Sequence, residues 1–446
     1  MSSVIGSIWW LIVSIGILVT FHEFGHFCVA RWCGVHVLRF SIGFGKPLIK
    51  RTGRGGTEFV VSAIPLGGYV KMLDEREFEV DPADLHQAFN RKPVWQRMAI
   101  AAAGPVFNFL LSFALFWGMF VVGQPDYLPI VGEAQGLAAQ GGFLPGDRLS
   151  RIGGEAVETW TDAGLLLTSA VMERKPVRVE VTRADGGHAV RNLDMSQIPG
   201  GVDAGEAMDR IGFTSQQSLA PPIIASVDPT GPTDLLHEGD QILAIDGLPA
   251  KGTRSVPKLV EKQARAGVPL HLSIQRGANR LAIEIVPRMR SSGQEKQHLT
   301  IGITVAPPSY DGVRHYGPIA ALGASANEMR RQAAADFGLI RRIFAHGETQ
   351  DLSSVVGIAQ AANQSAQLGL AWFLFFLGLL SLSLGILNLL PVPILDGGHL
   401  LYYLIELVKG SPVSERSLVV GQYIGLALLG GLMCVAFYND LLRHAS

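Results

Sequence analysis

The chain alternates between long uncharged stretches and sequence of ordinary mixed polarity. Residues 1 to 21, 98 to 125 and 417 to 439 carry no charged side chain. A further uncharged run extends from Leu352 to Leu395 and turns strongly apolar from about Leu368. Each supplies the roughly 20 apolar residues that a helix needs to cross a bilayer, the first by running on past Phe21. Four membrane spans are therefore predicted, the second over 98–123 and the fourth over 417–439. Elsewhere the period shortens to two. "LRFSIGFGKPLIK" and "TEFVVSAIPLGGYVKM", joined by the Gly-rich "RTGRGG", read as paired strands, and "PVRVEVTRA" and "PLHLSIQRG" further on each read as a period-two strand. From residue 310, apolar positions and Arg330, Arg331, Arg341 and Arg342 recur at helical spacing, predicting amphipathic helices.

Composition agrees with spans. Hydrophobic residues make up 48% and charged residues 17%, below the roughly 25% charged of a typical soluble protein. The net charge of −1 gives no support for a nucleic-acid partner. Eleven basic residues lie between Arg31 and Arg97, and none precedes the first span. The positive-inside rule then puts the N-terminus outside and this segment in the cytoplasm, with residues 126 to about 367 outside. Arg443 is a mild exception. The first span lacks the basic n-region and small-residue cleavage site of a signal peptide, so it is expected to be retained. Cys28, Cys33 and Cys434 suggest no disulfide framework and are expected to be small buried hydrophobes.

The outer region repeats. "PGDRLSRIGGEAV" (145–157) matches "EGDQILAIDGLPA" (238–250), and the Gly-Asp pairs are 239 − 146 = 93 residues apart. The pattern resembles tandem PDZ domains of the circularly permuted bacterial type, which hold an extended peptide as an added strand.

The chemistry sits at "FHEFGH". His22 and His26 are one helical turn apart on one face, so both imidazoles can reach one metal, with Glu23 beside them as a base for its water. Three ionisable groups at the end of a membrane helix need a partner, and a zinc ion supplies it. Catalytic zinc takes three protein ligands and leaves one position open. The third ligand is expected from "NLLPVPILDGGH", residues 388–399, which the span count brings to the same side. Asp396 is the first candidate and His399 the second. Pro391 and Pro393 should break the helix there into an extended turn.

"HEFGH" in a first span and "NLLPVPILDGG" after a third are similar to the site-2 protease family of intramembrane zinc metalloproteases, as is "AFNRKPVWQRMAIAAAGPVFNF" at the second span. The resemblance covers nearly the whole chain. It implies His22, His26 and Asp396 as ligands of one Zn2+ and Glu23 as catalytic base. It implies substrate-binding roles for Asn388 and for the Gly43-Phe44-Gly45 motif of a membrane-dipping hairpin, whose edge can hold substrate extended. Gly104 and Asn108 match its "GPxxN" pattern as packing or positioning residues, beside Pro391 and Pro393. The fold it implies is a polytopic α-helical membrane protein with four spans, a membrane-associated β hairpin and two external PDZ-type α+β domains. The boundaries expected are an N-terminal membrane domain (1–125, β region 35–71), PDZ domains at 126–219 and 220–309, an amphipathic region at 310–366, and a C-terminal membrane domain (367–446). The implied substrate is a single-span membrane protein such as an anti-sigma factor, first trimmed by a site-1 type protease; remnant signal peptides are a further class. The cut would free a cytoplasmic fragment for envelope stress signalling. The location implied is the bacterial inner membrane, with lipid as the other partner, PDZ domains periplasmic and the active site near the cytoplasm. Two rival readings lose ground on the residues. A non-catalytic PDZ scaffold needs neither Glu23 nor Asp396, and a zinc transporter would show repeated halves among its spans.

Overall fold

The computed structural model describes residues 2–77, 79–198, 207–227, 235–265, 267–292, 296–346 and 355–445. The chain divides into two compact units, one made of Met1–Gly123 with His315–Ala445 and the other of Gln124–Arg314.

The first unit opens with α1 (Ser2–Trp32), whose interior meets no charge before Glu23. Two long strands follow, β1 (Val37–Thr52) and β2 (Glu58–Met72). They do not make a simple hairpin. Phe40 pairs with both Phe59 and Val70, Ser41 with Val60 and Tyr69, and Ile42 with Val61 and Gly68. Residues 39–42 therefore lie between 58–61 and 68–71, and the expected hairpin is folded into four segments. Glycines make the bends: Gly43 and Gly45 (φ +88°) and Gly67 (φ +124°) stand in the left-handed region that side chains avoid. Helix α2 (Val94–Val122) then runs back as an apolar helix, with Pro105 inside it.

The second unit begins with β3 (Gln124–Asp126), β4 (Val131–Ala134), α3 (Gly136–Gln140), β5 (Arg148–Ile152), β6 (Glu155–Ala156), α4 (Trp160–Glu173), β7 (Pro176–Thr182) and β8 (His188–Asp194). It continues through α5 (Ala207–Ile211), β9 (Phe213–Ser215), β10 (Ile224–Val227), β11 (Gln241–Ile245), β12 (Leu248–Pro249), α6 (Ser255–Gln263), β13 (Leu270–Arg276) and β14 (Asn279–Ile285). β15 (Arg288–Ser292), β16 (Lys296–Thr300), β17 (Ile303–Val305) and β18 (Gly312–Arg314) complete it. Its two four-stranded sheets have one design, ordered β6-β5-β7-β8 and β12-β11-β13-β14. The repeat holds to single bonds. Asp147 accepts from Leu144 N at 3.0 Å and Asp240 from His237 N at 2.9 Å. Gly146 N reaches Val131 O at 2.8 Å and Gly239 N reaches Ile224 O at 2.9 Å. Each half has its own core, around Leu149, Leu167 and Val179 in one and Ile242, Val260 and Leu272 in the other.

The first unit resumes with α7 (Pro318–His346), α8 (Val355–Leu368), α9 (Leu370–Asn388), α10 (Asp396–Lys409) and α11 (Glu415–Ala445). α7 packs on the first-unit helices: Trp117 donates to Pro318 O at 2.9 Å and Ser383 donates to Asp336 at 2.8 Å, and just before α7 Tyr316 stands edge-on to Phe120. α8 falls within the expected amphipathic region. It buries Ala359, Ala362 and Asn363 against α1 and α9, with Asn363 lodged where Gly6 has no side chain. Residues 355–366 thus pack on α1 and α9, whereas 347–354 lie outside the described residues. Among the described residues three helices are long and apolar enough to cross a membrane, Val4–Trp32, Val94–Val122 and Leu370–Asn388. Within α11 a shorter apolar stretch, Leu418–Ala427, is described. Cys28 and Cys33 are half-buried and Cys434 is exposed, so none is the buried hydrophobe expected.

Candidate metal centre

His22 and His26 lie on the last third of α1, and both are held from α2. His26 Nδ1–H donates to the Ile100 carbonyl at 2.7 Å, which turns its Nε2 lone pair the other way. His22 Nδ1 lies 3.1 Å from the amide of Asn108, a fully buried side chain. The two helices meet closely because small residues line the crossing. A Cβ on Gly104 would stand 2.5 Å from His22 Cε1 and 2.7 Å from His22 Nε2, and would strike His26 Nε2 as well. A Cβ on Gly25 would stand 2.5 Å from Ala103 O.

Asp396 is the first residue of α10. Leu390, Val392 and Leu395 amides close tight turns onto Leu387, Leu390 and Val392 carbonyls, so the proline segment is a compact reversal and not the extended turn expected. α10 doubles back onto that reversal. Any Cβ on Gly397 would collide with Leu389 and Leu390, and any on Gly398 with Val392 and Pro393. The two glycines after the aspartate are therefore what lets Asp396 reach the histidines.

The three donors form a triangle. His22 Nε2 and His26 Nε2 are 3.3 Å apart, His22 Nε2 is 3.2 Å from Asp396 Oδ2, and His26 Nε2 is 3.5 Å from it. Asp396 Oδ2 is buried without a hydrogen-bond partner. Ligand bonds of about 2.0–2.1 Å in a tetrahedron give donor separations of about 3.3–3.4 Å. Two imidazoles and one carboxylate at that spacing, with an orphaned buried oxygen among them, fit a zinc ion. Among the described residues this is the one such group of three metal-ligating side chains.

Glu23 sits beside the triangle and against β2. Gly68 lets β2 come that near, since a Cβ there would stand 3.0 Å from Glu23 Cγ. A cavity of about 820 Å³ opens at the site, lined by Glu23, His26, Asp396 and His399 together with residues 69–72 of β2. His399 is thus a wall of the cavity, outside the triangle. Asn388, Gly43, Phe44, Gly45, Pro391 and Pro393 also lie outside that wall. Asn388 closes α9, half-buried, and Phe44 reaches the cavity only through its stack on Tyr69, with ring centroids 6.1 Å apart. Sequence reasoning did not find the Ile100 carbonyl, Gly25 or Gly68. A carbonyl has no sequence signal, but "AAAGP" opposite "HEFGH" does mark two small-residue faces.

Comparisons with known proteins give the family of the chain. The model of peptidase family M50 matches residues 10–432. The chain is 48% identical to a protein of Xylella fastidiosa (strain Temecula1 / ATCC 700964) named as a zinc metalloprotease, covering 99% of this chain and all of that one. It is 38% identical to the protease RseP of Yersinia pestis (99% of this chain, 100% of that one). It is also 38% identical to the regulator of sigma-E protease RseP of Escherichia coli (strain K12), over 97% of both. Among solved structures, the PDZ domain of an SdrC-like protein of Listeria monocytogenes aligns at 24% identity and a TM-score of 0.18, over 19% of this chain and 87% of that one. Matched over residues 10–432 and similar end to end to zinc metalloproteases, this chain is a zinc protein and belongs to peptidase family M50.

Proposed function

We propose that this protein is an intramembrane zinc endopeptidase that cuts single-span membrane proteins within their membrane segment. The observation that carries the reading is the triangle of His22, His26 and Asp396, with edges of 3.2–3.5 Å, beside Glu23 at the end of an apolar helix. His22, His26 and Asp396 hold the metal. Bound there, zinc supplies Lewis acidity toward a carbonyl oxygen and a water whose pKa falls toward about 7. Glu23 takes the proton of the attacking water and delivers it to the leaving amine nitrogen, as the scissile C–N bond breaks. The close approach of β2 at Gly68 packs against the Glu23 side chain and holds it in place for both transfers.

A helical substrate hides its peptide bonds in its own hydrogen bonds, so it must be unwound to react. Residues 68–72 of β2 pair with β1 along one edge, and residues 69–72 also line the cavity. A substrate strand added along the other edge would lie extended past Glu23. Asn388, at the end of α9, binds the unwound backbone, and Gly43-Phe44-Gly45 shape the sheet that presents the edge. Four spans are inferred, α1, α2, α9 and α11, with the N-terminus and the repeated domains periplasmic and the site near the cytoplasmic side. The two domains of the second unit act as PDZ modules that dock or size-select substrates. By likeness to the regulators of sigma-E protease, the substrate class is an anti-sigma factor already shortened by an earlier protease.

The test is cleavage in detergent of two tagged single-span substrates, one with its external domain and one trimmed of it. The trimmed one is expected to be cut within its apolar segment, located by mass spectrometry, and the intact one at least about tenfold more slowly. A cut outside that segment in both would refute the reading.

A further inference from the structure

Each ligand histidine has a second nitrogen, and what that nitrogen bonds decides which lone pair is free for the metal. For His26 the partner is a carbonyl, Ile100 O at 2.7 Å, so Nδ1 carries the proton and Nε2 is free. For His22 the partner is the Asn108 amide about two turns along the same helix. Asn108 is 0% exposed, and its backbone carbonyl is fixed by Ser381 Oγ at 2.8 Å.

An amide can face an imidazole in either of two senses, alike in shape and distinguished only by their hydrogen bonds. With Nδ2 toward His22 Nδ1, as at 3.1 Å here, the imidazole must accept at Nδ1 and carry its proton at Nε2. That proton would fill the space among Nε2, His26 and Asp396, where the lone pair is needed. It also leaves Asn108 Oδ1 buried with no partner, which costs about 1–3 kcal/mol. A half-turn of the amide removes both conflicts, because Oδ1 then accepts from Nδ1–H and Nε2 is freed.

We propose that Asn108 is a positioning residue of the zinc centre, with Oδ1 accepting the His22 Nδ1–H and so fixing the tautomer that ligates. α2 then supplies one acceptor to each histidine, Ile100 O to His26 and Asn108 Oδ1 to His22. This rests on the reading of both histidines as zinc ligands through Nε2.

The experiment is zinc affinity by chelator competition on the purified full-length protein, comparing wild type, Asn108→Asp, Asn108→Leu and His22→Ala. Melting of each metal-free protein is recorded alongside. Asn108→Asp, which can only accept, is expected to bind zinc within about threefold of wild type, and Asn108→Leu about 10–100-fold more weakly. If Asn108→Leu does not fold, Asn108→Ala is measured in its place, with the same loss expected. Asn108→Asp losing zinc as Asn108→Leu does would show that the amide donates, and wild-type affinity in Asn108→Leu would show that it does nothing; either overturns the proposal. Failure of the underlying reading looks different, since His22→Ala would then bind zinc as wild type does.

Discussion

Gly104 shows how little separates a working centre from a blocked one. The hydrogen on its Cα faces both imidazoles, and a methyl in its place would stand 2.7 Å from His22 Nε2. Interiors do not yield that much without moving a helix. Gly104→Ala is therefore expected to weaken zinc binding by about tenfold or more, read by chelator competition. Wild-type affinity would mean that α1 and α2 can part without disturbing the ligands. That His22 and His26 can reach one metal was legible in the sequence, because i and i+4 histidines share a helix face whatever surrounds them. Asp396 was legible only as one of two candidates. What separates it from His399 is the steric freedom of Gly397 and Gly398, which lets the helix N-terminus press onto the proline reversal. Gly104 and Asn108 could be picked out by pattern, but their contacts depend on which face of α2 meets α1, and spacing alone does not say.

Helix α2 is the frame of the site. It grips both histidines, and its first turn also grips α10, which carries Asp396. Arg97 donates to both Glu406 oxygens, at 3.1 and 2.7 Å, and its guanidinium lies 5.1 Å from the Tyr403 ring centroid. Both charged side chains are only 14% exposed, dry enough for a fork of this kind to hold position. Arg97→Leu is expected to cost about 2 kcal/mol of stability and to weaken zinc binding, and Arg97→Glu with Glu406→Arg should recover part of both. No recovery in the double variant, with each single variant impaired, would mean that the pair does not link the two helices. The strands were legible as period-two segments, yet not their folding into four, since alternation gives the faces and glycine φ values give the bends. The packing of α8 was not legible for a related reason: its polar Asn363 fills the notch left by Gly6, a contact that spacing does not give.

The turn that repeats in the second unit carries a charge-dependent bond. The Arg276 guanidinium, donating at 2.8 and 2.7 Å, holds the Asp240 carboxyl below its ordinary value, and His237 N–H adds to this. A carboxyl with a depressed folded pKa stabilises the fold above its unfolded value of about 3.9 and loses that contribution as pH falls through the folded one. Asp240→Asn should lower the melting temperature by a few degrees at neutral pH, with the gap to wild type closing on acidification. A gap that stays constant down to low pH would show that the Asp240 charge does not stabilise the fold.

The molecule joins an apolar helical unit bearing the candidate metal centre to a second unit built twice from one plan. Three of the apolar stretches and the repeat were readable because each is a pattern of composition, whereas the shape of the cavity depends on contacts between residues far apart in the chain. The claim that matters most is that His22, His26 and Asp396 hold zinc while Glu23 moves the proton. The most direct measurement is cleavage of a trimmed, tagged single-span substrate by wild type and by Glu23→Gln, with zinc content read on both preparations. Equal zinc in the two, with cleavage by wild type and a loss of about 100-fold or more in Glu23→Gln, is the expected result. Cleavage by Glu23→Gln at the wild-type rate with zinc in place would contradict it.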